Sequence, residues 1–125
     1  MVLIFGGAYQ GKSEYAMERF NLTENDMYFC KDEEIPQNKK IINCLEQWIL
    51  CLVRNGDNVS EKLEWLIENH NSSIIICNDV SCGVVPMDAT LRKWRELVSK
   101  SLGVLAKESE EVIRLFCGIP SKLNL

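Results

Sequence analysis

The sequence predicts an α/β three-layer sandwich around a mostly parallel central sheet. Two observations carry this. Short apolar runs alternate along the chain with stretches of helical periodicity, the pattern of strand–helix–strand units. The strongest of those runs, Ile74-Ile75-Ile76-Cys77, is apolar on both faces, as a buried parallel strand must be. A third observation refines the class to a P-loop NTPase-like sandwich. Met1 to Phe5 leads into Gly6-Gly7-Ala8-Tyr9-Gln10-Gly11-Lys12-Ser13, a G-x-x-x-x-G-K-S run, and Glu14 to Phe20 reads as helix. Strand, glycine loop and helix in that order are the context a phosphate-binding loop requires.

The physical reason for this loop lies in its backbone. Glycines allow positive φ and bring consecutive N–H groups close to a phosphate, while the following helix adds free N–H groups and a positive dipole end. Lys12 is then expected to reach the terminal phosphates and the Ser13 hydroxyl to ligate Mg²⁺. The competing reading is a glycine-rich turn with a chance lysine and serine. Tyr9 lies inside the loop, where shielding of the phosphates, contact with a second substrate and simple exposure all stay open.

Beyond the first helix, Asn21 to Asp26 reads as a polar turn and Met27 to Cys30 as a second strand. Lys31 to Lys40 is polar, contains Asp32-Glu33-Glu34 and Pro36, and reads as a loop whose acids are solvated. Ile41-Ile42 is a third, brief strand. Leu45, Trp48, Ile49 and Leu52 then fall on one helical face, stopped by Asn55-Gly56-Asp57. Asn58 caps the next helix, with Glu61 as capping-box partner and Leu63, Leu66 and Ile67 buried. After Ile74–Cys77 comes a loop from Asn78 to Pro86. Asp88 caps a long helix whose stripe is Leu91, Trp94, Val98 and Leu105. Val112 to Cys117 closes as a final strand, followed by a short tail.

At 125 residues, with 46% hydrophobic and 26% charged residues, the chain is expected to form a single domain over 1–125 with a real core. A net charge of -4 without a dense Lys/Arg cluster gives no footprint for nucleic acid. No apolar stretch approaches the roughly 20 residues that span a bilayer. The six cysteines form no C-x-x-C and several sit in apolar runs, so reduced thiols and a cytoplasmic location are expected. The one histidine, His70, falls between a helix and a turn and reads as a surface residue, and Trp48, Trp65 and Trp94 read as core.

Ligands of an open parallel sheet sit beyond the carboxyl ends of its strands. The acids and amides there are Asp32, Glu33, Glu34, Asn43, Asn78 and Asp79. A nucleotide-bound Mg²⁺ needs a carboxylate besides the loop hydroxyl. Asp79, directly after the central strand, is best placed; a turn or cap aspartate is the alternative.

Several of these segments resemble one family. Val2 to Ala8 with Gly11-Lys12-Ser13 is similar to the opening of the adenosylcobinamide kinase/adenosylcobinamide-phosphate guanylyltransferases of cobalamin biosynthesis. Ile75 to Pro86 resembles that family's strand, Asn-Glu, glycine and Gly-(Ile/Val)-Val-Pro signature. Arg92, Trp94 and Arg95 fall where the family has R-x-F-R, Asn43-Cys44-Leu45 where it has Asp-Cys-Leu, and Leu115 to Pro120 matches its closing Gly-(Leu/Ile)-Pro. The resemblance implies ATP or GTP with Mg²⁺ bound at Gly6 to Ser13, a corrinoid alcohol as phosphoryl acceptor, and a homo-oligomer, a trimer in the family. Lys12 and Asp79 would be catalytic and Ser13 the metal ligand. The family's second reaction passes GMP through a guanylylated histidine in a helix after the second strand. Lys31 to Lys40 is too short for that helix, and His70 lies well beyond it. Asn43 replaces an acid, Asp79 a glutamate, and Ser81 and Ser99 stand where glycine is usual. The expectation is therefore a kinase-like protein without the guanylyl step. The alternatives are a non-catalytic nucleotide-binding regulatory or assembly protein, or a kinase for an alcohol unrelated to corrinoids.

Overall fold

A computed structural model describes residues 1–8, 10–80 and 88–123. The elements run β1 (Val2–Gly6), α1 (Lys12–Phe20), a 3₁₀ turn (Glu24–Asp26), β2 (Met27–Phe29), β3 (Ile41–Asn43), α2 (Leu45–Asn55) and α3 (Val59–Asn69). They continue as β4 (Ile74–Asn78), α4 (Ala89–Glu108), β5 (Glu111–Phe116) and β6 (Ile119–Lys122). One six-stranded sheet has the order β2-β3-β4-β1-β5-β6. Every pairing is parallel except β5 with β6.

Alternation along the strands divides the core into two clusters. Leu3, Ile42, Ile75, Cys77 and Val112 face α2, α3 and α4, packing on Trp48, Ile49, Leu52, Leu66, Val98 and Leu105. Their neighbours Ile4, Ile41, Ile74, Ile76 and Ile113 point the other way, onto Ala16 of α1 with Tyr15, Met17 and Phe20 around it. Both faces of the central strands are thus buried, which explains their unbroken apolar runs. The product is a three-layer α/β sandwich of the P-loop NTPase-like kind.

Helix ends follow local chemistry. Asp88 Oδ1 accepts from the Thr90 and Leu91 backbone N–H groups at 2.7 and 3.2 Å, and Asn58 Oδ1 accepts from Glu61 N–H at 3.2 Å. Asp88→Ala strips two N–H groups of their partner and is expected to lower stability by about 1 kcal/mol, read by urea denaturation. A midpoint equal to that of the parent chain would count against the cap.

The structure differs from the sequence reading in four places. Helix α1 begins at Lys12 rather than Glu14, because the loop enters the helix directly through Gly11 at φ +83°. The tail after the last strand is itself a strand, β6, turned back by Cys117 and Gly118, both at positive φ. Trp65 is partly exposed, whereas Trp48 is fully buried and Trp94 half-buried. His70, read as a surface residue, is buried. Residues 31–40 carry no helix or strand. Among the described residues no helix is long and apolar enough to cross a membrane.

Candidate phosphate-binding site

The topology decides where a ligand can lie. From β1 the chain jumps to the far edge at β2, returns through β3 and β4 to flank β1, and only then places β5 on the other side. The carboxyl ends of β1, β3 and β4 therefore border one crevice at the switch point of the sheet.

Gly6 ends β1 in register with Asn78 of β4, and the Asp79 N–H donates to the Gly6 carbonyl at 2.8 Å. On the opposite side β5 comes so close that a Cβ on Gly6 would lie under 3.0 Å from the Leu115 carbonyl oxygen. The loop then passes Gly7, Ala8 and Gln10, and Gly11 takes the left-handed conformation that opens α1. Its tip is braced by the β5–β6 turn: the Gly118 N–H donates to the Gln10 carbonyl at 3.2 Å and the Cys117 N–H donates to Gln10 Oε1. The turn that sequence reading left as a tail is thus a support of the loop.

Lys12 and Ser13 form the first turn of α1. Lys12 is buried, 7% exposed, and its Nζ donates to the Gly7 carbonyl at 2.5 Å. Burial pushes its pKa down, opposed by the negative charge of Glu46 and, to a smaller degree, of Glu14. The Ser13 hydroxyl accepts from Asn43 Nδ2 at 2.8 Å, and Asn43 Oδ1 accepts from the Cys44 N–H at 2.7 Å. That backbone donor fixes the amide's orientation: a carbonyl oxygen must face Cys44, so the NH₂ must face Ser13. A cleft of about 250 Å³ is lined by Gln10, Gly11, Lys12, Ser13, Glu14, Phe29, Asn43, Cys44 and Asn78, with Phe29 56% exposed at its rim. The space suits a chain of phosphates.

These contacts bring Gly6, Gly7, Ala8, Gln10, Gly11, Lys12, Ser13 and Asn43 together, with Asp79 tied to Gly6 through its backbone. Tyr9 and the Ser81 to Met87 segment, which includes Cys82, Gly83 and Pro86, lie outside the described residues. For Mg²⁺ the donor set fits. Ser13 keeps a second lone pair beyond the one facing Asn43, and Asp79 adds a carboxylate at the same end of the sheet; hard oxygen donors with phosphate and water are what this ion takes. Among the described residues no group of three His, Cys, Asp or Glu side chains stands ready to hold an ion by itself. Burial raises the Cys30 thiol to about 12 and pushes Cys77 and Cys44 upward too, so these sulfurs stay protonated.

Sequence reading missed Glu46. It looks like a first-turn acid outside the apolar stripe of α2, yet it is 3% exposed. Its Oε1 accepts from the Asn78 backbone N–H at 2.9 Å and Oε2 from Asn78 Nδ2 at 3.4 Å, while its own carbonyl accepts from Trp94 Nε1 at 2.7 Å. Contacts with the end of β4 and with Trp94 of α4 surround it in the folded chain.

His70 sits at the opposite end of the molecule. It caps α3 just before β4 begins, while the phosphate cleft lies where β4 ends. The ring Nδ1 meets Ser73 Oγ at 3.2 Å and Nε2 is buried with no partner. Desolvation therefore lowers its pKa. A histidine held neutral in the fold but free to protonate when unfolded stabilises above its unfolded pKa, near 6.5, and withdraws that stability as pH falls below it. We expect the melting temperature to drop between pH 7.5 and 5.5, and the drop to shrink in His70→Gln. An equal drop in both proteins would refute this.

A family model described as cobinamide kinase/cobinamide phosphate guanyltransferase matches residues 26–123 of the chain. A search of curated proteins gave no match. The matched stretch begins after the glycine loop, so the loop rests on its own sequence and geometry.

Proposed function

Because this chain belongs to the cobinamide kinase/cobinamide phosphate guanyltransferase family, we propose that it is an adenosylcobinamide kinase-like phosphotransferase without the histidine-dependent guanylyl step. The observation that carries this reading is the separation of its two candidate reactive centres. Lys12 and Ser13 border the phosphate cleft, whereas the chain's one histidine is buried at the opposite end of β4. No nucleophile is thus available to carry GMP by that covalent route.

In this reading ATP or GTP lays its phosphates along Gly6 to Ser13. Lys12 would leave the Gly7 carbonyl for the terminal phosphate, and Ser13 would hold Mg²⁺, with Asp79 assisting through water. The ion, when bound, neutralises charge on the phosphate oxygens. Gln10, pinned to the β5–β6 turn, keeps the loop from opening as the ligand enters. Phosphoryl transfer is chiefly positioning and charge neutralisation, so the acceptor alcohol needs to be held in line with the breaking bond. Phe29 at the rim offers apolar surface to an acceptor such as a corrinoid. We further take the molecule to be a single cytoplasmic domain that assembles as a homo-oligomer, a trimer by resemblance. Phe116 and Ile119 leave an apolar pair exposed on the β5–β6 hairpin, available to such an assembly. Light scattering on the purified chain reads the oligomer number directly; a monomer would remove that part.

A second reading, a non-catalytic nucleotide-binding protein, is favoured by one contact. The Asn43 amide meets Ser13 where a carboxylate would support the metal. Incubation with γ-labelled ATP or GTP, Mg²⁺ and adenosylcobinamide separates the two. Label entering the corrinoid supports the kinase, and tight binding without transfer supports the regulatory protein. With α-labelled GTP no acid-labile label is expected on the chain; its appearance would restore the guanylyl step.

A further inference from the structure

The chemistry proposed for the phosphate cleft gives no task to the other end of the sheet. There the loop of residues 37–40, which enters β3, and the turn of residues 69–73, which enters β4, enclose a cavity of about 410 Å³. That volume lies within the range of about 300–1,000 Å³ that small-molecule sites occupy. Lys39, Lys40, His70, Ser72 and Ser73 line it among four amide side chains, and no lining residue is acidic. In a chain of net charge -4 this is a local reversal of sign. Backbone bonds hold the walls in place. The Lys40 N–H donates to the Asp26 carbonyl at 3.0 Å, the Ile74 N–H to the Lys40 carbonyl at 2.9 Å, and the Ser73 N–H to the His70 carbonyl at 3.0 Å. Lys39 Nζ donates to the Asn25 carbonyl at 2.6 Å, whereas Lys40 enters no ion pair among the described residues.

His70 adds an independent observation. The residue is 2% exposed, its Nδ1 meets Ser73 Oγ at 3.2 Å, and its Nε2 has no hydrogen-bond partner. Trp65 packs edge-on against the ring, 5.8 Å between centroids, without bonding to that nitrogen. An orphaned polar atom of this kind calls for a water, an ion or a ligand as partner, and the two lysines beside it favour an anion. Ammonium, amide and hydroxyl groups can all donate, which suits a group with as many acceptor oxygens as a phosphate. We propose that this cavity is a second ligand site, taking the phosphate group of a small molecule between Lys39 and Lys40 with His70 Nε2 as a buried donor to it. The exposed Gln37–Asn69 hydrogen bond at the rim, 3.3 Å long, opens to admit the ligand. The site lies at the far end of β4 from Lys12 and stands whether or not the glycine loop takes nucleotide.

The test uses the full untagged chain, in which His70 is the one histidine and its imidazole resonances report the cavity directly by NMR. Inorganic phosphate and glycerol 3-phosphate are titrated, with potassium chloride of equal ionic strength as control. The resonances are expected to shift saturably with the phosphate ligands and not with chloride, and to do so alike in the parent chain and in Lys12→Met. Tighter binding of glycerol 3-phosphate identifies an ester as the ligand; equal or tighter binding of inorganic phosphate identifies the free ion. No saturable shift, or the same shift with chloride, would overturn the proposal. A shift that vanishes in Lys12→Met would place the phosphate in the glycine loop and overturn it too. Lys39→Gln/Lys40→Gln should weaken phosphate binding about tenfold or more, as loss of charge-assisted contacts does. Affinity within about threefold of the parent chain would count against the site. His70→Gln removes the reporter, so it is read by the rise in melting temperature that phosphate produces. That rise should shrink, and a rise equal to the parent's would show that Nε2 does not meet the ligand.

Discussion

Lys12→Met is expected to weaken nucleotide binding by about a hundredfold or more, the loss typical of removing one member of a buried charge-assisted contact. Lys12 is the only cation lining the described phosphate cleft. Its ammonium is held 2.5 Å from the Gly7 carbonyl, so a short swing redirects it from the loop to a phosphate. Methionine has nearly the same length and no charge, which isolates electrostatics from packing. The variant is expected to fold, because Ala16 and the flanking side chains that seat α1 on the sheet are untouched. Titration with ATP and GTP measures the effect. Affinity within about threefold of the parent chain would mean that the glycine loop does not hold the phosphates.

Gly6→Ala is expected to be the most damaging glycine-to-alanine change among the described residues. Its Cβ would fall on the Leu115 carbonyl, a backbone atom in a paired strand that cannot rotate aside. Relief requires β1 and β5 to separate at the centre of the sheet. Overpacking of this kind costs roughly 3 kcal/mol or more, about 10 °C or more in melting temperature for a domain of this size. Gly11→Ala is the informative control. It too puts a side chain at positive φ, but the nearest atom to its Cβ is Gly118 Cα at 3.9 Å, so only the left-handed conformation is penalised. That costs about 1–2 kcal/mol. If both variants melt alike, backbone conformation rather than the approach of β5 governs Gly6.

Much of this was legible beforehand because it depends on near neighbours in sequence. Leu45, Trp48, Ile49 and Leu52 announced the buried face of α2 through spacing alone, and all four are fully buried. Asp88 announced the start of α4, since a cap bonds to N–H groups two and three residues on. The glycine loop between β1 and α1 was legible for the same reason, its glycines and its lysine being set by one turn of chain. Residues whose environment is assembled from distant segments were not. His70 reads as a polar surface residue because nothing in its own stretch shows that the ring is buried with Nε2 unpartnered. The β6 strand was missed because Ile119 to Lys122 is short and contains Pro120, and it pairs only because Cys117 and Gly118 turn it back.

The sequence by itself determined the order of strands and helices from β1 to β5, the two-sided burial of Ile74 to Cys77 and the position of the glycine loop. Apolar periodicity and backbone freedom are properties a chain carries with it. Only the tertiary structure decided that Asn43 hands its amide to Ser13, that the β5–β6 turn grips Gln10, and that Glu46 lies buried against Asn78. Each joins residues about 30 to more than 100 positions apart. The charge of a phosphate cleft is set by which side chains the folded layers exclude from water, and no local pattern records that exclusion.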